Sequence, residues 1–158
     1  MRKLLLLGLF AIVFAGCKTA SVGNTKLDKS SQVDIKGNWR IASVSYPGSE
    51  YIKVNSFDIA DSQCFVGSTW NFISNNNKGS FSLNKSDCAS YNSPITWYIN
   101  KEGQFVLKVL DEGLKSKKVK TGYFLSVQNQ TENSFQLVDK ISVGNNPTDV
   151  VYQFEKIN

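Results

Sequence analysis

The sequence predicts an all-β chain folded as an eight-stranded antiparallel up-and-down barrel. Three observations predict it. From Asn38 onward apolar and polar residues alternate in short runs, the runs are divided by Gly, Asn, Asp and Pro, and no stretch carries a convincing helical period. Eight such runs joined as consecutive hairpins remove their exposed edges by closing the first strand on the last.

The chain starts with an address. Arg2 and Lys3 precede an apolar run from Leu4 to Phe14 and then Ala15-Gly16-Cys17, the layout of a secretory signal peptide over residues 1–16. The run is too short to cross a membrane. A cysteine directly after Phe14-Ala15-Gly16 resembles the lipobox of bacterial lipoproteins. That resemblance implies cleavage before Cys17 and acylation, with palmitate among the acyl groups, of its thiol and new amino group. At ~0.8 kcal/mol per buried methylene, several acyl chains make a lasting anchor. An ordinary secreted protein cut nearby would instead leave Cys17 as an unpaired thiol.

Lipoproteins retained in the inner membrane carry Asp after the cysteine, and this chain has Lys18, which implies outer-membrane sorting. Surface-exported lipoproteins of some Gram-negative groups carry an acidic cluster there. Lys18 to Gly23 has none, so the periplasmic face is favoured over the cell surface. Residues 17–33 read as the lipidated cysteine and a flexible, aperiodic tether, and residues 34–158 as the barrel domain.

The strands expected are Asn38 to Tyr46, Ser68 to Ser74, Gly79 to Asn84, Ile95 to Asn100, Gln104 to Asp111, Lys120 to Gln128, Ser134 to Ile141 and Asp149 to Lys156. Asn75 to Lys78, Lys101-Glu102-Gly103 and Asn129 to Asn133 suit the tight turns between them. Alternation places Trp39, Ile41, Trp70, Phe72, Phe81, Leu83, Ile95, Trp97, Ile99, Phe105, Leu107, Val109, Tyr123, Leu125, Val127, Phe135, Leu137, Val150, Tyr152 and Phe154 inside. Two strands break the pattern, since Ser43 and Ser45 would then point inward while Val44 and Phe124 point outward; a bulge would re-phase either one. The long connection from Pro47 to Gln63 is expected to lie over one barrel end, with Tyr51 to Val54 a short strand or loop and Phe57 to Cys64 a helical turn.

Composition excludes several function classes. The sequence has no histidine, which rules out Ser-His-Asp and Cys-His catalysis and histidine-ligated zinc. Arg2 and Lys3 account for two of the formal charges of +5, and the mild remainder has no base-stacking pattern beside it, so no nucleic-acid partner is expected. Asp58 with Asp61, and Asp111 with Glu112, are the paired carboxylates; all sit in expected loops or strand ends, where solvated turn residues are the rule. No catalytic residue, metal site or cofactor motif is expected, and the chain reads as a non-enzyme. The lysines between Lys115 and Lys120 read as a solvated loop, or as a contact for anionic lipid headgroups. With Cys17 lipidated, Cys64 and Cys88 are free to form a disulfide in an oxidising compartment.

Gly37-Asn38-Trp39 at the head of the first strand resembles the Gly-x-Trp signature of lipocalins, and with a lipobox before it the plan is similar to that of lipocalin-like lipoproteins of Gram-negative bacteria. Cys64 to Phe72 and Ser93 to Asn100 also look like those domains. The resemblance implies that Trp39, beside Gly37, packs across the closed barrel base. Many lipocalins lay a late arginine over that tryptophan, but the only arginines here are Arg2 and Arg40, so either Lys140 or Lys156 takes its place or the base is closed differently.

Two functions follow as expectations. The first is non-enzymatic binding or carriage of a small hydrophobic ligand, with Trp70, Phe72, Trp97, Phe105, Leu107, Tyr123 and Phe135 lining the pocket. The second is a barrel filled by its own aromatics, serving as a structural or protein-interaction lipoprotein, including a periplasmic inhibitor that acts through a projecting loop such as Pro47 to Gln63.

Overall fold

Alternating apolar residues drive the strands together because each strand buries one face and must pair both edges. In the computed structural model, residues 29–49, 52–110, 119, 122–144 and 146–157 are described, with the first helix's side chains described from Gln32 on. The leader, Cys17, most of the tether, the Asp111-Glu112 pair and Lys115, Lys117, Lys118 and Lys120 lie outside the described residues.

Helix α1 (Lys29–Ile35) precedes β1 (Gly37–Ser45). A small hairpin of β2 (Asn55–Ser56) and β3 (Ala60–Asp61) and a 3-10 turn (Ser62–Phe65) follow. Then come β4 (Thr69–Ile73), β5 (Lys78–Leu83), β6 (Tyr91–Ile99), β7 (Phe105–Val109), β8 (Tyr123–Gln128), β9 (Ser134–Val143) and β10 (Asn146–Lys156). Strands β4 to β10 meander, and β1 closes the barrel by pairing with β10 on one side and β4 on the other. The eight expected strands are these barrel strands, with ends shifted by a few residues.

The helix was not expected. It occupies the end of the segment read as tether, and seven residues are too few to display a period. Its place is set by Gln32, which donates to Asn77 Oδ1 at 2.8 Å and accepts from the Ile99 amide at 3.4 Å, and by Ile35, which is fully buried. Gly37 then turns the chain into β1 with φ of 124°, a conformation that side-chain-bearing residues rarely adopt.

Trp39 lies in the core at the end of the barrel next to α1. It is fully buried, its indole N–H donates to Ile35 O at 2.7 Å, and its ring meets Phe135 edge-on at 4.6 Å. Lys156 Nζ lies 5.7 Å from the ring centroid, so of the two lysines it is the one over the tryptophan. Lys140 is elsewhere, on the outer surface with Asp149 at 3.3 Å.

Of the two irregular strands, only β1 is re-phased. Its register with β10 slips between Ile41 and Ser43, which turns Val44 inward and leaves Ser43 and Ser45 exposed. No slip corrects β8, so Phe124 remains 57% exposed between the inward Tyr123 and Leu125. Gly79 answers a different need: a Cβ there would stand 2.3 Å from Asn71 O and against Ile95, so the β4–β5 pair accepts no side chain at that point.

Cys64 and Cys88 form the expected disulfide, tying the 3-10 turn to the β5–β6 connection. The loop it closes spans a separation of 24 residues. Replacing both cysteines with alanine is expected to lower unfolding free energy by about 3 kcal/mol. Urea denaturation of the oxidised protein and the double variant measures this, and equal midpoints would refute a stabilising bond.

Candidate functional site

The barrel interior divides into two halves. In the half near the base, the expected pocket residues pack against one another. Phe72, Trp97, Phe105, Leu107 and Phe135 are at most 1% exposed. Trp97 stacks on Phe105 at 5.4 Å, Phe72 meets both rings, and Phe135 stacks on Phe154 at 4.6 Å. The indole of Trp97 donates to Lys78 O at 3.0 Å, and that of Trp70 to Ser68 Oγ at 2.8 Å, which fixes both rings. Six of the seven residues expected to line a pocket therefore belong to one packed core, Trp70 at the side that meets Phe57, and Tyr123 stands at the mouth.

The other half is filled from outside the barrel strands. After β1 the chain crosses the mouth and sends two phenylalanines down into it, Phe57 from the β2–β3 hairpin and Phe65 from the 3-10 turn. Phe57 stacks on Tyr152 at 5.4 Å and meets Tyr123, Phe65 and Trp70 edge-on at 5.1, 5.3 and 6.4 Å. Phe65 stacks on Phe81 at 6.1 Å. The expectation that this connection lies over a barrel end holds. The helical turn is confined to Ser62–Phe65, and Phe57 instead sits in a hairpin that turns into the mouth rather than projecting from it.

That hairpin is locally unfavourable. Ile59 N–H donates to Ser56 O at 3.0 Å across a two-residue turn in which Phe57 and Asp58 have φ of 55° and 54°. Such primed turns suit Asn-Gly, and a bulky residue with positive φ is an outlier. Left-handed backbone costs ~1–3 kcal/mol per residue. Burying one phenylalanine side chain returns ~1.5–3 kcal/mol. With both Phe57 and Asp58 left-handed, the strain of ~2–6 kcal/mol matches or exceeds the return from one ring, so the hairpin's hold on the mouth depends on the bonds of Ser56 and Asp58 as well.

Polar groups surround the inserted ring. Ser56 and Tyr152 share a hydroxyl hydrogen bond of 2.5 Å, and Tyr123 O–H donates to Asp58 Oδ2 at 3.1 Å. Burial, followed by the bond to Asp58, raises the Tyr123 phenol well above its ordinary pKa; burial does the same for Tyr152, against a lowering by Ser56. Asp139 faces the same space from β9, near enough that its charge acts on both phenols, and its own carboxyl is raised by burial. Of the carboxylate pair Asp58 and Asp61, the first accepts from Tyr123 and the second caps the 3-10 turn by accepting from Gln63 N–H at 2.9 Å. The outer rim carries a hydroxyl bond between Tyr46 and Ser62, with Gln63 donating to Tyr46 at 3.1 Å.

Residues 35–137 match the family of the lipocalin-like domain. The chain belongs to that family. Among solved structures it resembles a lipocalin-like protein from Bacteroides uniformis at 14% identity, with a TM-score of 0.48, 78% of this chain and 99% of that one being covered. It also resembles bovine odorant binding protein in complex with a selenium-containing odorant, at 13% identity and a TM-score of 0.46, over 80% of this chain and 73% of that one. No curated protein matches it.

In this lipocalin-like chain the site residues that sequence reasoning missed are Ser56, Phe57, Phe65 and Asp139. The first three lie in a connection with no period to assign. Asp139 was legible, since it continues the inward series of Phe135 and Leu137, but an acid there was not read as facing a core.

The raised Asp139 carboxyl gives a pH prediction for the lipocalin-like domain. Folded protein keeps this proton to higher pH than unfolded chain, so the contribution of Asp139 to stability is fullest below the ordinary carboxylate range and is lost as pH rises through the window up to the raised value. Tyr123 and Tyr152 stay neutral there. Thermal midpoints measured from acid to neutral pH are expected to fall less in Asp139→Asn than in the native sequence. Parallel profiles would show that Asp139 is solvated.

Proposed function

We propose that this is a membrane-tethered, non-enzymatic protein that binds a small hydrophobic ligand at the mouth of its barrel. One observation carries the proposal: the ring-lined mouth is filled by a hairpin that pairs with no barrel strand and is held there with little net gain. Membership of the lipocalin-like family and the closed barrel support the same reading. The base half, with its interlocked rings, serves as a rigid floor, and the ligand space lies above it.

The tether is proposed from the N-terminal sequence. Cys17 after Phe14-Ala15-Gly16 is the acylation site, Lys18 directs the protein to the outer membrane, and the absence of acidic residues from Lys18 to Gly23 favours its periplasmic face. In a bacterial host, labelling with an alkyne palmitate analogue is expected to mark the native sequence and be lost in Cys17→Ser. Equal labelling of both would remove the anchor from the proposal.

A second reading has its own observation. Ring contacts run unbroken from Trp39 through Phe135, Phe154, Trp70 and Phe57 to Tyr123, the condition of a filled barrel acting through its surface, as a structural, interaction or inhibitor lipoprotein. Native mass spectrometry of the secreted Cys17→Ser protein, with an organic extract of the same sample, separates the two. A stoichiometric added mass matching an extracted molecule is expected. Bare protein that also rejects fatty acids, sterols and small aromatic molecules would favour the filled barrel.

A further inference from the structure

Hairpin β2–β3 is attached to the barrel in an unusual way. It forms its own two-stranded sheet. Its backbone bonds stay local, Ile59 N–H to Ser56 O and Ser62 N–H to Val54 O at 2.7 Å. What docks it is side chains: the Phe57 ring, the Ser56 hydroxyl on Tyr152, the Asp58 carboxylate on Tyr123, and Ile59 and Ala60 packed half-buried against the core. The stalk behind it is fixed separately. Cys64 is bonded to Cys88, Gln63 donates to Val44 O at 3.2 Å, and Lys85 donates to Gln63 O at 3.0 Å. The tip can therefore lift while Phe65 and the disulfide stay in place.

Lifting the tip leaves a specific space. It includes the place of the Phe57 ring, with Tyr152 as the stacking face and Tyr123, Phe65 and Trp70 presenting their rings around it. The hydroxyls of Tyr152 and Tyr123 lose Ser56 and Asp58 as partners. Asp139 is paired with the inward Val150, one inward position along β9 from Leu137, the partner of Tyr152, and among the described residues it has neither a hydrogen-bond donor nor a cation paired with it. A flat ring satisfies the walls, and a cationic N–H donor satisfies the carboxylate.

We infer that the Asn55–Asp61 hairpin is a displaceable internal ligand, and that the molecule which displaces it is an aromatic amine, its ring in the place of Phe57 and its ammonium group on Asp139. The inference rests on the ligand-binding reading and narrows it to a chemical class. A long acyl chain fits the space poorly, because the packed base half blocks extension beyond one ring.

Calorimetric titration of the Cys17→Ser protein at neutral pH tests this, with phenethylamine, ethylbenzene and palmitate as probes. Phenethylamine is expected to bind, and Asp139→Asn to weaken it by roughly tenfold or more while leaving ethylbenzene unchanged. Phe57→Ala removes the internal competitor and is expected to tighten phenethylamine by about tenfold, because apparent affinity scales with the fraction of open mouths. Should Phe57→Ala fail to fold, Ser56→Ala with Asp58→Ala frees the tip while keeping the ring, and tightening is again expected. Equal phenethylamine affinity in the native and Asp139→Asn proteins, or no tightening from either hairpin variant, overturns the inference. Palmitate binding without phenethylamine binding overturns it while sparing the ligand-binding reading. No binding of any probe, to native protein or hairpin variants, counts against both.

Discussion

The pairing of β1 on both its edges is the constraint on which the rest depends. With β10 on one side and β4 on the other, no edge is left unpaired in the barrel sheet, and every inward side chain is committed to a closed interior. The slip between Ile41 and Ser43 belongs to this closure. It lets one strand face the core with Trp39 and Ile41 near the base and with Val44 near the mouth, at the point where β1 leaves β4 and the mouth-crossing chain begins.

Closure makes the two ends unlike. At the base, α1 delivers Ile35 beneath Trp39, the indole N–H is satisfied by a backbone carbonyl, and Lys156 covers the ring. These interactions reinforce each other and need no further partner. At the mouth, Phe57 comes from a hairpin whose backbone is strained and whose hydrogen bonds to the barrel are made by single side chains. Stability is graded along the barrel axis, and binding elements are drawn from the less stable end of such gradients.

The barrel was legible because its signal is periodic. Every residue assigned inward by alternation joins the core or packs partly buried against it, and the positive φ angles of Asn77 and Gly103 fall in the turns expected to hold them. Val44 was ambiguous because one bulge inverts the face of all that follows it. The site was less legible for a related reason. Phe57 and Phe65 reach the interior from a connection, where no period exists to say which way a side chain points. The residues expected to bind ligand were found by period, and for that reason mostly belong to the fixed half. Sequence pattern finds the wall of such a barrel more readily than its plug.

A filled interior and a binding site are compatible when the filling is part of the chain. An internal occupant reduces apparent affinity by the fraction of molecules whose mouth is open, so only a ligand with contacts the hairpin lacks can compete. Phe57 already supplies the ring contacts, and a purely apolar molecule of similar size would merely repeat them. Asp139 is the contact left over: the hairpin brings Ser56 and Asp58 to the two phenols and offers that carboxylate nothing. Asp58 even adds a second negative charge to the mouth, one that leaves with the tip when the hairpin lifts. A cation arriving as Asp58 withdraws meets Asp139 at a half-buried position, where a charge pair is stronger than in open water. Occupation by its own phenylalanine thus turns a generally greasy cavity into one that selects for charge.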